Sequence, residues 1–270
     1  MGNNINDGYA DSNRLSDKAL LIYNDFLHSG KFLTHYKWLK NAAETYDIKL
    51  ELMGNSEFLC SYGTSFDKEL IETLEKYRFI LFWDKDIRLG KKFTNICKKI
   101  NIPIYNNIRA IADCDDKSAT YEKIGQWNDL HDTLEQIKMI PTIVAPMTYE
   151  NIGYTDMNFL DKVAEKFGFP LVIKECFGSF GMQVYMAHDM DELKKRVSDI
   201  GGKPMIFQKF IEKSSGFDVR LQVVGDEVVA AMYRYTDDGD FRANITHGGK
   251  MKSYEPDASE IKLATDTVKS

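Results

Sequence analysis

The sequence predicts a parallel α/β region followed by an antiparallel α+β region. Three observations predict it. Up to residue 107, short apolar runs alternate with amphipathic segments. From Pro170 onward, strand-like runs follow one another through tight turns. One amphipathic helix, residues 189–199, interrupts those strands. Strands alternating with helices imply right-handed crossovers and a parallel sheet. Strands joined by tight turns imply antiparallel pairing.

The elements follow in order. "KALLIYNDF" (18–26) is a short apolar run ending in turn residues. "LTHYKWLKNAAETY" (33–46) places Leu33, Tyr36, Leu39, Ala43 and Tyr46 on one helical face. "IKLELM" (48–53) is the second strand, and "SFDKELIETLEKY" (65–77) a helix capped by Ser65 or Asp67. "RFILFW" (78–83), "LGKKFTNICKKI" (89–100) and "IPIYNN" (102–107) give strand, helix, strand. The first strand–helix turn, "NDFLHSGKF", has one glycine, so it offers no G-x-G-x-x-G dinucleotide site.

Next come a helix at 115–126, a segment without clear structure at 127–136, a strand at 139–146 and a helix at 156–168 capped by Gly168. The later strands are 171–176, 182–187, 205–211, 218–224, 227–235 and 241–245. Gly225-Asp226 and Asp238-Gly239 are the expected hairpin turns. "SEIKLATDTVKS" closes the chain as a helix with Ile261, Ala264 and Val268 on one face.

A chain of 270 residues is long enough for two domains. No apolar run approaches the ~20 residues of a membrane span, so no membrane partner is expected. The first residues, "MGNNINDGYADSNRLSDK", lack the apolar centre of a signal peptide and read as a disordered tail. Cys60, Cys97, Cys114 and Cys176 form no C-x-x-C pair, which fits reduced thiols in a cytoplasm and gives no metal knuckle. The net charge of −6 recommends no nucleic-acid partner.

Three constellations could carry chemistry. In "PLVIKECFGSFGMQVYMA", alternation puts Val172, Lys174 and Cys176 on one strand face. A lysine there wants an anion or a route to water, because burying an unpaired ammonium is costly. The turn that follows holds Gly178, Ser179, Phe180 and Gly181, and glycines let backbone N–H groups approach an anion. This is either a surface hairpin with an incidental lysine or a phosphate clamp. Second, Asp218 and Arg220 share one strand face, Arg242 and Asn244 share another, and Arg234 ends the strand between. They are either salt-bridged sheet edges or a floor of cations for a transferring phosphoryl group. Third, "MIFQKFIEKSSG" runs through Gln208, Lys209, Phe210 and Ile211. It is either a plain strand leaving a core or one whose backbone meets the edge of a nucleobase. The five histidines form no H-x-x-x-H pair, and no G-x-S-x-G elbow is present.

Taken together, "DDKSATYEKI", "FPLVIKECFGSFGMQV", "MIFQKFIEKSSGFDVRLQVVGDEVVAAMYR" and "GDFRANITHGG" resemble the ATP-grasp superfamily, and within it the RimK-type α-L-glutamate ligases. The resemblance implies a tail at 1–15, an N-terminal α/β domain at 16–112, a central ATP-grasp subdomain at 113–208 and a partial C-terminal subdomain at 209–270. It implies that Lys117 and Lys174 bind ATP phosphates and that the Gly178–Gly181 loop folds over them. Gln208 to Ile211 would hold adenine, Asp218 would sit near the ribose, and Arg220, Arg234, Arg242 and Asn244 would line the reacting phosphates. The implied reaction is formation of an amide through an acyl phosphate, joining an acceptor carboxylate to glutamate or a similar amino acid.

Two departures accompany the resemblance. Thr246 and His247 stand where the family carries His-Arg. The family's Asp and Glu-x-Asn magnesium ligands have no match in this sequence. The expected cofactors are therefore ATP and Mg2+, with no metal ligand nominated. A non-catalytic ATP-binding protein is the alternative, and an unfinished sheet edge could pair with a second copy in a homo-oligomer.

Overall fold

A computed structural model describes residues 16–27, 29–62 and 66–270. The tail expected at 1–15 and the Ser65 cap lie outside them. The chain divides into two compact units, Met1–Ala112 and Asp113–Ser270.

In the first unit, four parallel strands alternate with helices. They are β1 (Lys18–Tyr23), β2 (Lys49–Gly54), β3 (Ile80–Phe82) and β4 (Ile104–Tyr105). The order is β2-β1-β3-β4, all parallel. The helices are α1 (Gly30–Glu44), α2 (Phe66–Leu74) and α3 (Ile87–Lys99). The unbroken "ALLI" of β1 follows from burial on both faces. Leu20 and Ile22 join a core with Leu74, Phe82 and Phe93, while Ala19 and Leu21 pack with Tyr36 and Leu50. Asp86 starts α3, its carboxylate accepting from Leu89 N at 3.0 Å.

A short helix, α4 (Ile108–Asp115), precedes α5 (Lys117–Asp129). The helix expected at 115–126 is present as α5, whereas α4 is not expected from the sequence, and the two are separated by Asp116. It is extended, and its carboxylate accepts from Ser118 N and Ala119 N as the cap of α5.

The second unit holds two antiparallel sheets. One is β5 (Thr142–Val144), β6 (Leu171–Glu175), β7 (Val184–Ala187) and β8 (Met205–Lys209), in the order β5-β8-β6-β7. Helices α6 (Phe159–Phe167) and α7 (Met190–Ile200) supply Leu160, Val163, Leu193 and Val197 to a core with Leu171, Ile173 and Phe207. Gly168 ends α6 at φ +67°, a conformation that favours glycine. The other sheet is β9 (Phe217–Val224), β10 (Glu227–Tyr235) and β11 (Lys250–Ser253), in the order β11-β10-β9. Helix α8 (Ala258–Lys269) packs on β9 and β10.

The Gly225-Asp226 hairpin is present, with Glu227 opposite Val224. The strand expected at 241–245 is not formed, and Asp238-Gly239 does not turn a hairpin; β10 pairs with β11 instead. The reason is local. Asp238 accepts from Asp240 N at 3.0 Å and Asp240 accepts from Arg242 N at 2.8 Å. Side chains thereby take backbone donors that a ladder would need. No helix among the described residues is long and apolar enough to cross a membrane.

Candidate functional site

Register builds one wall of a cavity in the second unit. Thr142 and Val172 both lie opposite Gln208, and Lys174 lies opposite Ile206 and Val184. Side chains directly opposite share a face. Val172, Lys174, Val184 and Gln208 therefore present one surface, while Ile173 and Phe207 point into the core. The rest of the lining comes from Lys209, Phe210, Ile211 and Ser214 after β8, Phe217 and Asp218 of β9, and the loop from Phe241 to Asn244. The cavity has a volume of about 290 Å³.

Eight of the sequence-nominated residues thus meet at this cavity: Lys174, Gln208, Lys209, Phe210, Ile211, Asp218, Arg242 and Asn244. Lys174 is partly buried, and none of the ion pairs among the described residues involves it. Burial, and then the charge of Lys117, hold its pKa below the ordinary lysine value. Gln208 is almost wholly buried and forms two hydrogen bonds through Nε2, to Tyr121 Oη at 2.6 Å and Thr142 Oγ1 at 2.8 Å.

Lys117 is placed differently. Its ammonium donates to the carbonyls of Glu175 at 3.0 Å, Cys176 at 3.1 Å and Gly178 at 3.3 Å. It gathers the chain where β6 becomes the glycine loop, while its charge reaches Lys174. In that loop, Gly178 packs so closely on Gln183 that a Cβ would come within 2.4 Å of Gln183 Oε1. Phe180 and Gly181 both have positive φ, +62° and +78°. Gly178, Ser179, Phe180 and Gly181 do not line the cavity. The loop is joined to it through Arg242, whose Nη1 donates to Gly181 O at 3.2 Å.

The arginines separate. Arg242, on a loop rather than the expected strand, is held by Asp240, whose hydrogen bonds raise its pKa. Arg234 lies directly opposite Asp218 across the β9–β10 ladder and grips it with two bonds of 2.7 and 2.6 Å. Arg220 is next on that face, and burial together with the Arg234 charge lowers its pKa. Neither Arg220 nor Arg234 lines the cavity. Sequence reasoning missed Tyr121 and Thr142, whose contacts with Gln208 span 87 and 66 residues.

Comparison with known proteins agrees with this architecture. A family model described as a RimK-like ATP-grasp domain matches residues 117–270. A Mycoplasma pneumoniae protein called "Uncharacterized protein MG012 homolog" is 30% identical over 247 residues, covering 90% of this chain and 79% of its own length. A "Probable alpha-L-glutamate ligase" of Trichodesmium erythraeum is 38% identical over 104 residues, 38% of this chain and 35% of that protein. The chain thus matches about a third of that ligase's length. Among solved structures, a D-alanine–D-alanine ligase from Bacillus anthracis complexed with ATP superposes with a TM-score of 0.60 at 16% identity, covering 94% of this chain and 78% of that one. That likeness is one of fold. With its second unit matched almost throughout, this chain belongs to the RimK-like ATP-grasp family.

Proposed function

We propose that this chain is an ATP-dependent carboxylate–amine ligase that adds glutamate or a similar amino acid to an acceptor carboxylate. One observation carries the reading: Lys174 sits in a buried sheet, faces a cavity and pairs with no acid among the described residues. A cation so placed is stabilised when a ligand brings negative charge. The cavity's polar lining also fits a nucleotide, since Gln208 Oε1 is buried without a partner among the described residues.

In this reading Lys174 meets the phosphates, and Lys117 fixes the glycine loop and adds charge behind it. The loop Gly178–Gly181 covers the phosphates. The segment Gln208–Ile211 takes the base, and Asp218 takes the ribose. Arg242 and Asn244 face the reacting end. Arg234 holds Asp218 in place, and Arg220 extends the positive face beside them. The acceptor carboxylate oxygen attacks the terminal phosphorus and ADP leaves. The amine nitrogen then attacks the acyl carbon, phosphate leaves with the C–O electrons, and the amine loses a proton. Positioning and charge neutralisation supply most of such catalysis. Among the described residues no cluster of three or more His, Cys, Asp and Glu side chains could hold a metal ion. The magnesium implied by the family is therefore assigned no residues and no step.

The partners are small molecules, and the free cysteines suit a cytoplasmic setting. The test supplies ATP, an acidic acceptor and each amino acid in turn, and measures phosphate release and amide product. The expected result is release that requires both organic substrates. ATP binding without release under any pairing would favour a non-catalytic nucleotide-binding role. Absence of both binding and release would remove the reading altogether.

A further inference from the structure

We infer that Asp240 is a positioning residue: it aims the guanidinium of Arg242 so that one group both latches the tip of the glycine loop and contacts the nucleotide's phosphates. The inference rests on the nucleotide reading above and adds to that site a residue that does not line the cavity.

The glycine loop needs a latch. Phe180 holds φ at +62°, a left-handed conformation that is costly for a bulky side chain, and Gly181 follows at +78°. Such a backbone persists only where surrounding contacts impose it. Lys117 ties the root of the loop through the carbonyls of Cys176 and Gly178. At the tip, Gly181 O accepts from Arg242 Nη1 at 3.2 Å. That bond spans 61 residues and joins the loop to a residue of the cavity wall.

Asp240 contributes direction rather than charge. A guanidinium has five N–H groups and stays protonated in proteins, so no acid is needed to keep it a cation. The Asp240 carboxylate accepts from Nε at 3.0 Å and from Nη2 at 2.7 Å, which fixes the plane of the fork. Gly181 takes a third N–H. Two are left over, one on each terminal nitrogen, for an anion in the cavity that Arg242 lines. Asp240 is itself held in place. Its Oδ1 accepts from Arg242 N at 2.8 Å, and its own N donates to Asp238 at 3.0 Å. Gly216 packs so closely that a Cβ there would lie 3.2 Å from Asp240 O. A phosphate drawn to Arg242 therefore meets a group already engaged with the loop. Loop closure and anion contact share one side chain. This orientation carries an electrostatic penalty, because a carboxylate beside the site repels a phosphate.

The experiment measures ATP affinity of the full chain by calorimetry, and hydrogen exchange of residues 178–182 without nucleotide. Asp240→Asn removes the negative charge and keeps an oxygen that can accept from Arg242 N. If charge alone mattered, this variant would bind ATP more tightly. The positioning role predicts the opposite sign. ATP affinity should fall about tenfold and the loop should exchange faster. The melting temperature without ATP should stay at the wild-type value, which a merely structural residue would lower. Arg242→Lys keeps a cation but has no rigid fork, so it should show the same faster exchange and weaker binding. It gives an independent reading should the asparagine variant fail to fold. Unchanged or raised ATP affinity in Asp240→Asn, or unchanged loop exchange in both variants, would overturn the inference while leaving the nucleotide reading intact. Failure of the wild-type protein to bind ATP would overturn the nucleotide reading and the phosphate contact with it. Faster exchange in Asp240→Asn would then still support the latch, and unchanged exchange would remove it.

Discussion

In the sheet β5-β8-β6-β7, Leu171, Ile173, Met205 and Phe207 are wholly buried, whereas no residue of β9, β10 or β11 is buried. Charges are distributed to match. On the open sheet Arg234 pairs with Asp218 and Lys250 with Asp237. On the closed sheet Lys174 has no acid paired with it among the described residues. An exposed charge costs little and a paired one is held by its neighbour, so neither calls for a ligand. A partly buried cation without an acid does. The contrast bears on Lys174, a partly buried cation that no acid of its own sheet pairs with among the described residues.

The largest effect should come from the closed sheet itself. Phe207→Ala removes a fully buried ring from its core, and a loss of about 3–5 kcal/mol in urea unfolding is expected. The same truncation at Phe217, which is 37% exposed on the open sheet, should cost only about 1 kcal/mol. Equal losses would break the comparison.

Next in size is the pair that secures the open sheet to the cavity rim. Asp218→Ala leaves the Arg234 guanidinium, 11% exposed, without its carboxylate. A loss of about 1–3 kcal/mol is expected, tempered because Asp218 is 40% exposed. The double variant Asp218→Leu with Arg234→Met should recover most of it. If the double variant is as unstable as the single one, the pair is not what orders this edge.

The smallest effect is a pH dependence that sharpens the role of Lys174. Burial and the nearby Lys117 charge put its folded-state pKa below the value of 10.5 it has when exposed. Between those two values the unfolded chain binds one more proton than the folded one, so stability rises as pH climbs through that window. Phosphate binding needs the ammonium, so nucleotide affinity should fall over the same range. Lys174→Met should flatten both trends. Trends that persist in the variant would assign them to other groups.

The sequence showed the closed sheet more clearly than the open one. The alternation of "LVIKE" puts Lys174 on the face opposite Leu171 and Ile173, and the structure buries those two in the core. "FRANI" has the same alternation, yet Arg242 and Asn244 lie on a loop, because Asp238 and Asp240 claim nearby backbone donors. Composition cannot show which of two polar partners an amide will choose. Residues 108–115 form α4 where the sequence reading places no helix, and the helix read at 115–126 begins after Asp116, which caps it. Lys117 was readable as a basic residue near a helix start. Its use in tying three carbonyls together depends on contacts 58 to 61 residues away. Longer separations, 87 and 66 residues, hid the Tyr121–Gln208–Thr142 network.

The most direct test compares thermal unfolding of the wild-type chain and Lys174→Met with and without ATP. A ligand at a hundred times its dissociation constant stabilises a folded protein by about 2.7 kcal/mol. The wild-type melting temperature should rise with ATP. The variant should melt no lower than the wild type when ATP is absent, and should show no rise when it is added. A variant that still gains the full ATP shift would contradict the claim that this lysine is the cavity's anion contact.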